Sequence, residues 1–172
     1  MSQIIGLTGP IASGKNEVAK ILAKFGALVI DVDQEAHKLM GLTRGERKKL
    51  ANEVFFNKTK LKALNKLVHP KLKKKIAEKL KSRKAEKLIV INAAVLKEIG
   101  LIEFCDEVWV VMAPKKTRLA RLEEKGLLKN DALARISSQM NQKAYLKLAD
   151  AVISNDGTKK ELNDQVQTLL KI

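Results

Sequence analysis

Along the chain, short apolar runs alternate with longer stretches in which apolar residues recur every three or four positions. The first run, "QIIGL" from Gln3 to Leu7, predicts a buried strand ending in a glycine-rich turn. In the following "NEVAKILAKFG", Val18, Ile21, Leu22 and Phe25 fall at helical spacing and Gly26 is a natural stop. Ala27 to Ile30 predicts a second buried strand, followed by two acids, Asp31 and Asp33. From Gln34 to Lys87 the pattern is helical and charged. "QEAHKLM", "RGERKKLANEVFF", "KTKLKALNKLV" and "PKLKKKIAEKLKSRK" predict successive helices, with Pro70 starting the last. "LIVINAAVL" and "DEVWVVMA" predict two further buried parallel strands. "PKKTRLARLEEKG" and "DALARISSQMNQKAYLKLAD" read as helices, "AVISN" as a fifth strand, and "TKKELNDQVQTLLKI" as the terminal helix. The alternation predicts an α/β fold with a five-stranded parallel sheet flanked by helices.

Composition narrows this picture. A chain of 172 residues suits one domain with a real core. Aromatics make up only 3%, so Leu, Ile, Val and Ala must do the packing. No apolar run reaches the roughly 18 residues of a membrane span, and "MSQIIGLTG" lacks the features of a secretory signal. The single cysteine, Cys105, excludes an intrachain disulfide framework and fits a reducing cytoplasm. Cys105 and Trp109, in "FCDEVWVV", alternate about a strand and read as packing residues. The net charge of +15 favours polyanionic or phosphorylated partners, and lysines crowd Lys58 to Lys87. That stretch reads first as a solvated helix face, then as a phosphate-attracting surface. Scarce aromatics disfavour a single-strand nucleic-acid platform.

The chemistry is concentrated in "LTGPIASGKN". It has the form G-x-x-x-x-G-K, from Gly9 to Gly14 and Lys15, with Asn16 where a magnesium-holding Ser or Thr is expected. After a buried strand, such a turn aims backbone N–H groups at an anion, and the next helix adds its positive end. Lys15 would neutralise the terminal phosphates. The amide oxygen of Asn16 is neutral, as a hydroxyl is, and can ligate a metal. Asp33 sits where an acceptor hydroxyl would meet the phosphate, and it reads equally as a helix N-cap. Asp31 is the second acid there. Arg118, Arg121 and Lys125 fall three and four apart on one helix face, with Arg135 and Lys143 beyond. They suit phosphate oxygens or ordinary surface ion pairs. Asn155 reads as an adenine-bordering loop residue or a turn with Gly157, and His69 before Pro70 as a turn residue.

The sequence resembles the dephospho-coenzyme A kinase family over most of its length. "IIGLTGPIASGKNEVAKIL" is similar to that family's "IGLTGGIGSGKSTVA", and "VIDVDQEAH" to its "VIDADxIAR". "RKKLANEVF", "LNKLVHP", "CDEVWVV", "RISSQ" and "LADAVISNDG" also match family segments. Three departures stand out. Asn16 replaces the loop's serine; "NAAVLKE" replaces "DVPLLFE", so Asn92 stands for an acid while Glu98 remains; and the stretch after "DVD" is shortened.

The resemblance implies a P-loop kinase of the adenylate-kinase type that moves the γ-phosphate of ATP to the ribose 3′-hydroxyl of dephospho-coenzyme A. It implies a core at about 1–33, 88–113 and 150–172, a helical acceptor-side region at about 34–87, and a short helical lid at about 114–149. Lys15, Asp33, Arg121 and Arg135 would be catalytic. Gly9, Pro10, Ile11, Ala12, Ser13, Gly14, Lys15, Asn16, Glu17 and Asn155 would hold ATP. Asp31, Asp33, His69 and Glu98 would face the acceptor, and Asn16 would touch Mg²⁺. The shortened acceptor region keeps open a kinase for another small acceptor, such as a nucleoside monophosphate. The two asparagines keep open a basic nucleotide- or nucleic-acid-binding protein without catalysis.

Overall fold

The computed structural model describes residues 2–43, 45, 46, 49, 50, 53 and 57–171. The strands are β1 (Gln3–Thr8), β2 (Leu28–Asp31), β3 (Leu88–Asn92), β4 (Glu107–Met112) and β5 (Ala151–Ser154). Helix α1 (Lys15–Lys24) links the first two; α2 (Val32–Met40) and α3 (Lys58–Ser82) lead to β3. A short α4 (Leu96–Ile99) precedes β4, and α5 (Lys115–Glu124), α6 (Lys129–Ser137) and α7 (Gln142–Leu146) lie between β4 and β5. Helix α8 (Lys159–Leu170) closes the chain, entered through a Thr158–Glu161 capping box.

All four strand pairings are parallel, in the order β2-β3-β1-β4-β5. The five strands expected from the apolar runs are those observed. The chain leaves β1 on one side to build β2 and β3, then on the other to build β4 and β5. The direction therefore reverses at β1, and the crevice beyond the carboxyl ends of β1 and β3 is where ligands bind in such sheets. Alternation within strands divides the core. Ile5, Leu7, Val90, Trp109 and Val111 face α1 and α8. Ile89, Ile91, Val108 and Val110 face Leu72 and Ile76 of α3. A third, small cluster of Leu122, Ala132 and Ile136 joins α5 to α6.

Four local expectations change. The two helices expected to meet at Pro70 are one continuous α3, with Pro70 inside it. Lys66, whose carbonyl loses its partner at Pro70, is exposed to water. Leu72, Ile76 and Leu80, four apart, pin the rest of the helix to the core. His69 is consequently a helical residue and not a turn residue. The helix expected over 131–150 is two, because Asn141 caps a fresh start by accepting from Ala144 N at 2.9 Å. The run "LIVINAAVL" is a strand only to Asn92 and then turns into α4. The helix expected over 44–56 lies mostly outside the described residues.

Candidate functional site

Between β1 and α1 the backbone takes conformations that sequence must permit. Gly9 has φ +151° and Gly14 φ +97°, and a Cβ at Gly14 would lie 1.8 Å from Asn155 Nδ2. A Cβ at Gly9 would meet the Val111 carbonyl at 2.2 Å. Ala12 also takes a positive φ of 60°. The result is a loop wrapped around the amino end of α1, whose first N–H groups have no intrahelical acceptors. The Ser13 hydroxyl is buried there without a hydrogen-bond partner among the described residues.

The loop is held from behind. Arg121 donates from Nη1 to the carbonyls of Ala12 (3.1 Å) and Ser13 (3.3 Å), and from Nη2 to Asn155 O at 2.9 Å. The buried Asn155 donates from Nδ2 to Ser13 O at 2.8 Å, and Gln139 accepts from Ile11 N at 2.6 Å. The carbonyls of Ala12 and Ser13 are thus taken from one side by Arg121 and Asn155. Gln139 had no signal beyond its place in "RISSQ".

Lys15 arches over the loop, its ammonium donating to Gly9 O at 3.2 Å. Burial lowers its pKa, against the opposing pull of Asp33 and Asp31. Asp33 moves the other way. Crowding by protein atoms raises its pKa, Lys15 opposes this, and Asp31 adds to it. Lys15, Asp31 and Asp33 thus form one coupled group at the carboxyl ends of β1 and β2. Lys125 joins it, since its charge depresses the pKa of Lys15 further. Standing one turn beyond Arg121, it is brought in by the same anchoring.

The alternative reading of Asp33 as helix cap is corrected. Asp31 is the N-cap of α2, accepting from Gln34 N at 2.9 Å, and Asp33 sits in the helix's first turn. Asn16 and Asn92 meet across the site, Asn92 Nδ2 donating to Asn16 Oδ1 at 2.9 Å. A cavity of about 720 Å³ borders both, with Asp31 and Gln34. Glu17 is exposed and pairs with Lys20 at 2.8 Å. Pro10 and Ile11 complete the loop.

Two expected acceptor residues stand apart. Among the described residues no hydrogen bond joins His69, in mid-α3, to this group. Glu98 is exposed on α4, near enough to the buried Tyr145 of α7 to help raise its pKa to about 12, mostly an effect of burial. Of the basic residues on α5, Arg118 is half-buried beside Tyr145, its Nε without a partner. Arg118 and Arg121 therefore serve different neighbours despite their helical spacing. Arg135 is half-buried on α6.

A family model for dephospho-CoA kinase matches residues 3–44 and 42–161. The dephospho-CoA kinase of Carboxydothermus hydrogenoformans is 36% identical, covering 98% of this chain and 93% of its own. A crystal structure from Thermus thermophilus superposes with TM-score 0.81 at 30% identity, covering 99% of this chain and 97% of that one. The dephospho-CoA kinase structure from Campylobacter jejuni gives 0.72 at 26% identity, covering 99% and 96%.

Proposed function

The chain belongs to the dephospho-coenzyme A kinase family, and from that premise we propose how its own residues divide the work. The activity is ATP-dependent phosphorylation of the ribose 3′-hydroxyl of dephospho-coenzyme A, the last step of coenzyme A biosynthesis. A kinase for another small acceptor, or a binding protein without catalysis, is not favoured.

In this reading the phosphate groups of ATP lie in the loop from Gly9 to Glu17, on the N–H groups at the start of α1. Phosphoryl transfer leaves the protein mainly positioning and charge stabilisation to supply. Lys15 meets the β- and γ-phosphates, whose charge offsets its burial. Asp33 orients the acceptor hydroxyl and takes its proton late in the transfer. Burial raises its pKa and the Lys15 ammonium opposes the rise. Asp31 fixes the start of α2 and so aims Asp33. Arg121 and Asn155 brace the loop, and Arg135 belongs to the lid. His69 and Glu98 would reach the acceptor at a distance from the reacting atoms. The regions 34–87 and 114–149 serve as acceptor side and lid around the core.

Mg²⁺ fits the donors present. Asn16, Asp31 and Asp33 offer hard oxygens, and a buried amide oxygen of Asn92 lacks a partner. Among the described residues no group of three or more His, Cys, Asp or Glu side chains forms a cage. The ion would therefore come with the nucleotide, held through Asn16. When bound it neutralises charge on the β- and γ-phosphates. No helix among the described residues is long and apolar enough to cross a membrane, and the reading places the enzyme's work in the cytoplasm.

The observation that carries this assignment is the glycine-built loop at the amino end of α1, with the Lys15 ammonium over it and Asp33 in the first turn of α2. Its test is Asp33→Asn, with ATP, Mg²⁺ and dephospho-coenzyme A, following coenzyme A by mass. kcat should fall at least about 100-fold while ATP affinity stays within about threefold. Retained turnover would remove Asp33 from the chemistry.

A further inference from the structure

Asn16 and Asn92 differ from the family pattern together, at positions far apart in sequence and in contact in the fold. Asn92 closes β3, in register with Leu7 of β1 and Asp31 of β2, so it forms part of the floor of the site. Its Nδ2 donates to Asn16 Oδ1 at 2.9 Å, and its own Oδ1 is buried with no hydrogen-bond partner among the described residues. Asn16 is exposed toward the same cavity. A serine at 16 is too short to accept the bond from Asn92. An aspartate at 92 has no proton to donate, and it would set a carboxylate oxygen against the amide oxygen of Asn16. Each asparagine is suited to the other and ill-suited to the family's usual partner.

We propose that Asn16 and Asn92 act as one amide pair replacing the family's hydroxyl and carboxylate, with Asn92 the positioning residue that holds the Asn16 oxygen toward the metal–nucleotide. This rests on the reading of the loop as the ATP site. An amide oxygen has two lone pairs. Asn92 occupies one and thereby fixes where the other points, so Asn16 need not be held by the ligand itself. The pair carries no formal charge, so orientation replaces the lost acid. The unpartnered Asn92 oxygen is costly in the free protein, and a donor arriving with the metal–nucleotide would relieve that cost. The energetics of the two residues are then coupled, and coupled specifically in the presence of metal.

Calorimetric titration with ATP, in Mg²⁺ and in EDTA, of the wild type, Asn16→Ser, Asn92→Asp and the double variant tests this. Each single variant should bind Mg–ATP about tenfold more weakly. The double variant should return to within about threefold of wild type. Metal-free ATP affinity should stay within about twofold in all four. Should Asn92→Asp fail to fold, Asn92→Ala is expected to show the same metal-specific loss. Additive single effects would overturn the proposal, as would an Asn92 variant with unchanged Mg–ATP affinity. So would equal losses with and without metal, the mark of a merely structural role. A wild-type protein that binds no ATP in either condition would instead overturn the nucleotide-site reading beneath it.

Discussion

Among the described residues Glu35 is the most heavily engaged carboxylate, and replacing it with glutamine should loosen the attachment of α2 to α3. It lies on α2 with its side chain 6% exposed, and Lys38, Lys75 and Lys79 reach it at 3.1, 3.2 and 2.9 Å. Burial alone would raise its pKa; the ion pairs with Lys79, Lys38 and Lys75 outweigh that and bring it down to about 2, from an ordinary 4.5. At about 1.36 kcal/mol per pH unit, the drop corresponds to about 3–4 kcal/mol at neutral pH as an upper bound. The lysines are 32 to 64% exposed, so solvent screening reduces it to about 1.5–3 kcal/mol. The sign follows from the depressed folded-state pKa. The stabilisation is fully present above pH 4.5 and is lost as pH falls from there through about 2. Glu35→Gln keeps the shape, removes the charge, and leaves three ammonium groups facing one another. Urea unfolding at pH 7 should show a loss of about 1.5–3 kcal/mol, or roughly 3–12 °C in Tm. The gap between wild type and variant should shrink by more than half by about pH 3. A variant within about 0.5 kcal/mol of wild type at pH 7 would refute the reasoning. A gap that does not change with pH would refute it equally.

Gly14→Ala should be damaging on two counts, because φ is +97° and the added methyl would lie 1.8 Å from Asn155 Nδ2. The backbone conformation and the lost Asn155–Ser13 bond together predict about 2–3 kcal/mol of destabilisation, and calorimetry should find ATP binding lost; an unchanged Tm and affinity would contradict the loop geometry. The Cys105 thiol is pushed up to about 12, first by burial and then by Asp106, and its Sγ donates to Leu101 O at 3.3 Å. At pH 8 it should react with a disulfide reagent roughly a thousandfold more slowly than in denaturant; comparable rates would show the thiol to be accessible.

Most of the sheet was legible because each strand is a short apolar run, and all but β3 are bounded by glycine, acid or proline. Periodicity was a poorer guide to how helices are joined. Pro70 marks a boundary by every local rule, yet Leu72, Ile76 and Leu80 keep α3 going through it by packing on the sheet. The reverse occurs after Ser137. A sequence with helical spacing throughout is interrupted there, because Asn141 caps a new helix and Gln139 is drawn to the backbone of Ile11. The partner of Gln139 lies 128 residues away in sequence, and α3 is held by strands outside its own window, which spacing within a window does not contain.

The site divides along the same line. Gly9, Gly14 and Lys15 announce themselves because a phosphate loop needs particular backbone angles at fixed intervals, and those needs are written in residue type. Arg121 shows the limit of the approach. Its spacing from Arg118 and Lys125 suggests three equivalent cations on one face. In the fold, Arg118 turns to Tyr145, Arg121 binds loop carbonyls, and Lys125 bears on Lys15. The division is physical: a guanidinium can satisfy several carbonyls at once in a fork, whereas an ammonium acts as a point charge. Arg121 therefore braces the loop from the carbonyl side, and Lys125, capping the same helix one turn later, adds positive charge near Lys15. Replacing Arg121 with lysine would preserve the charge and lose the fork that holds Ala12, Ser13 and Asn155 together. Charge alone, which is all that spacing reveals, does not distinguish those two tasks.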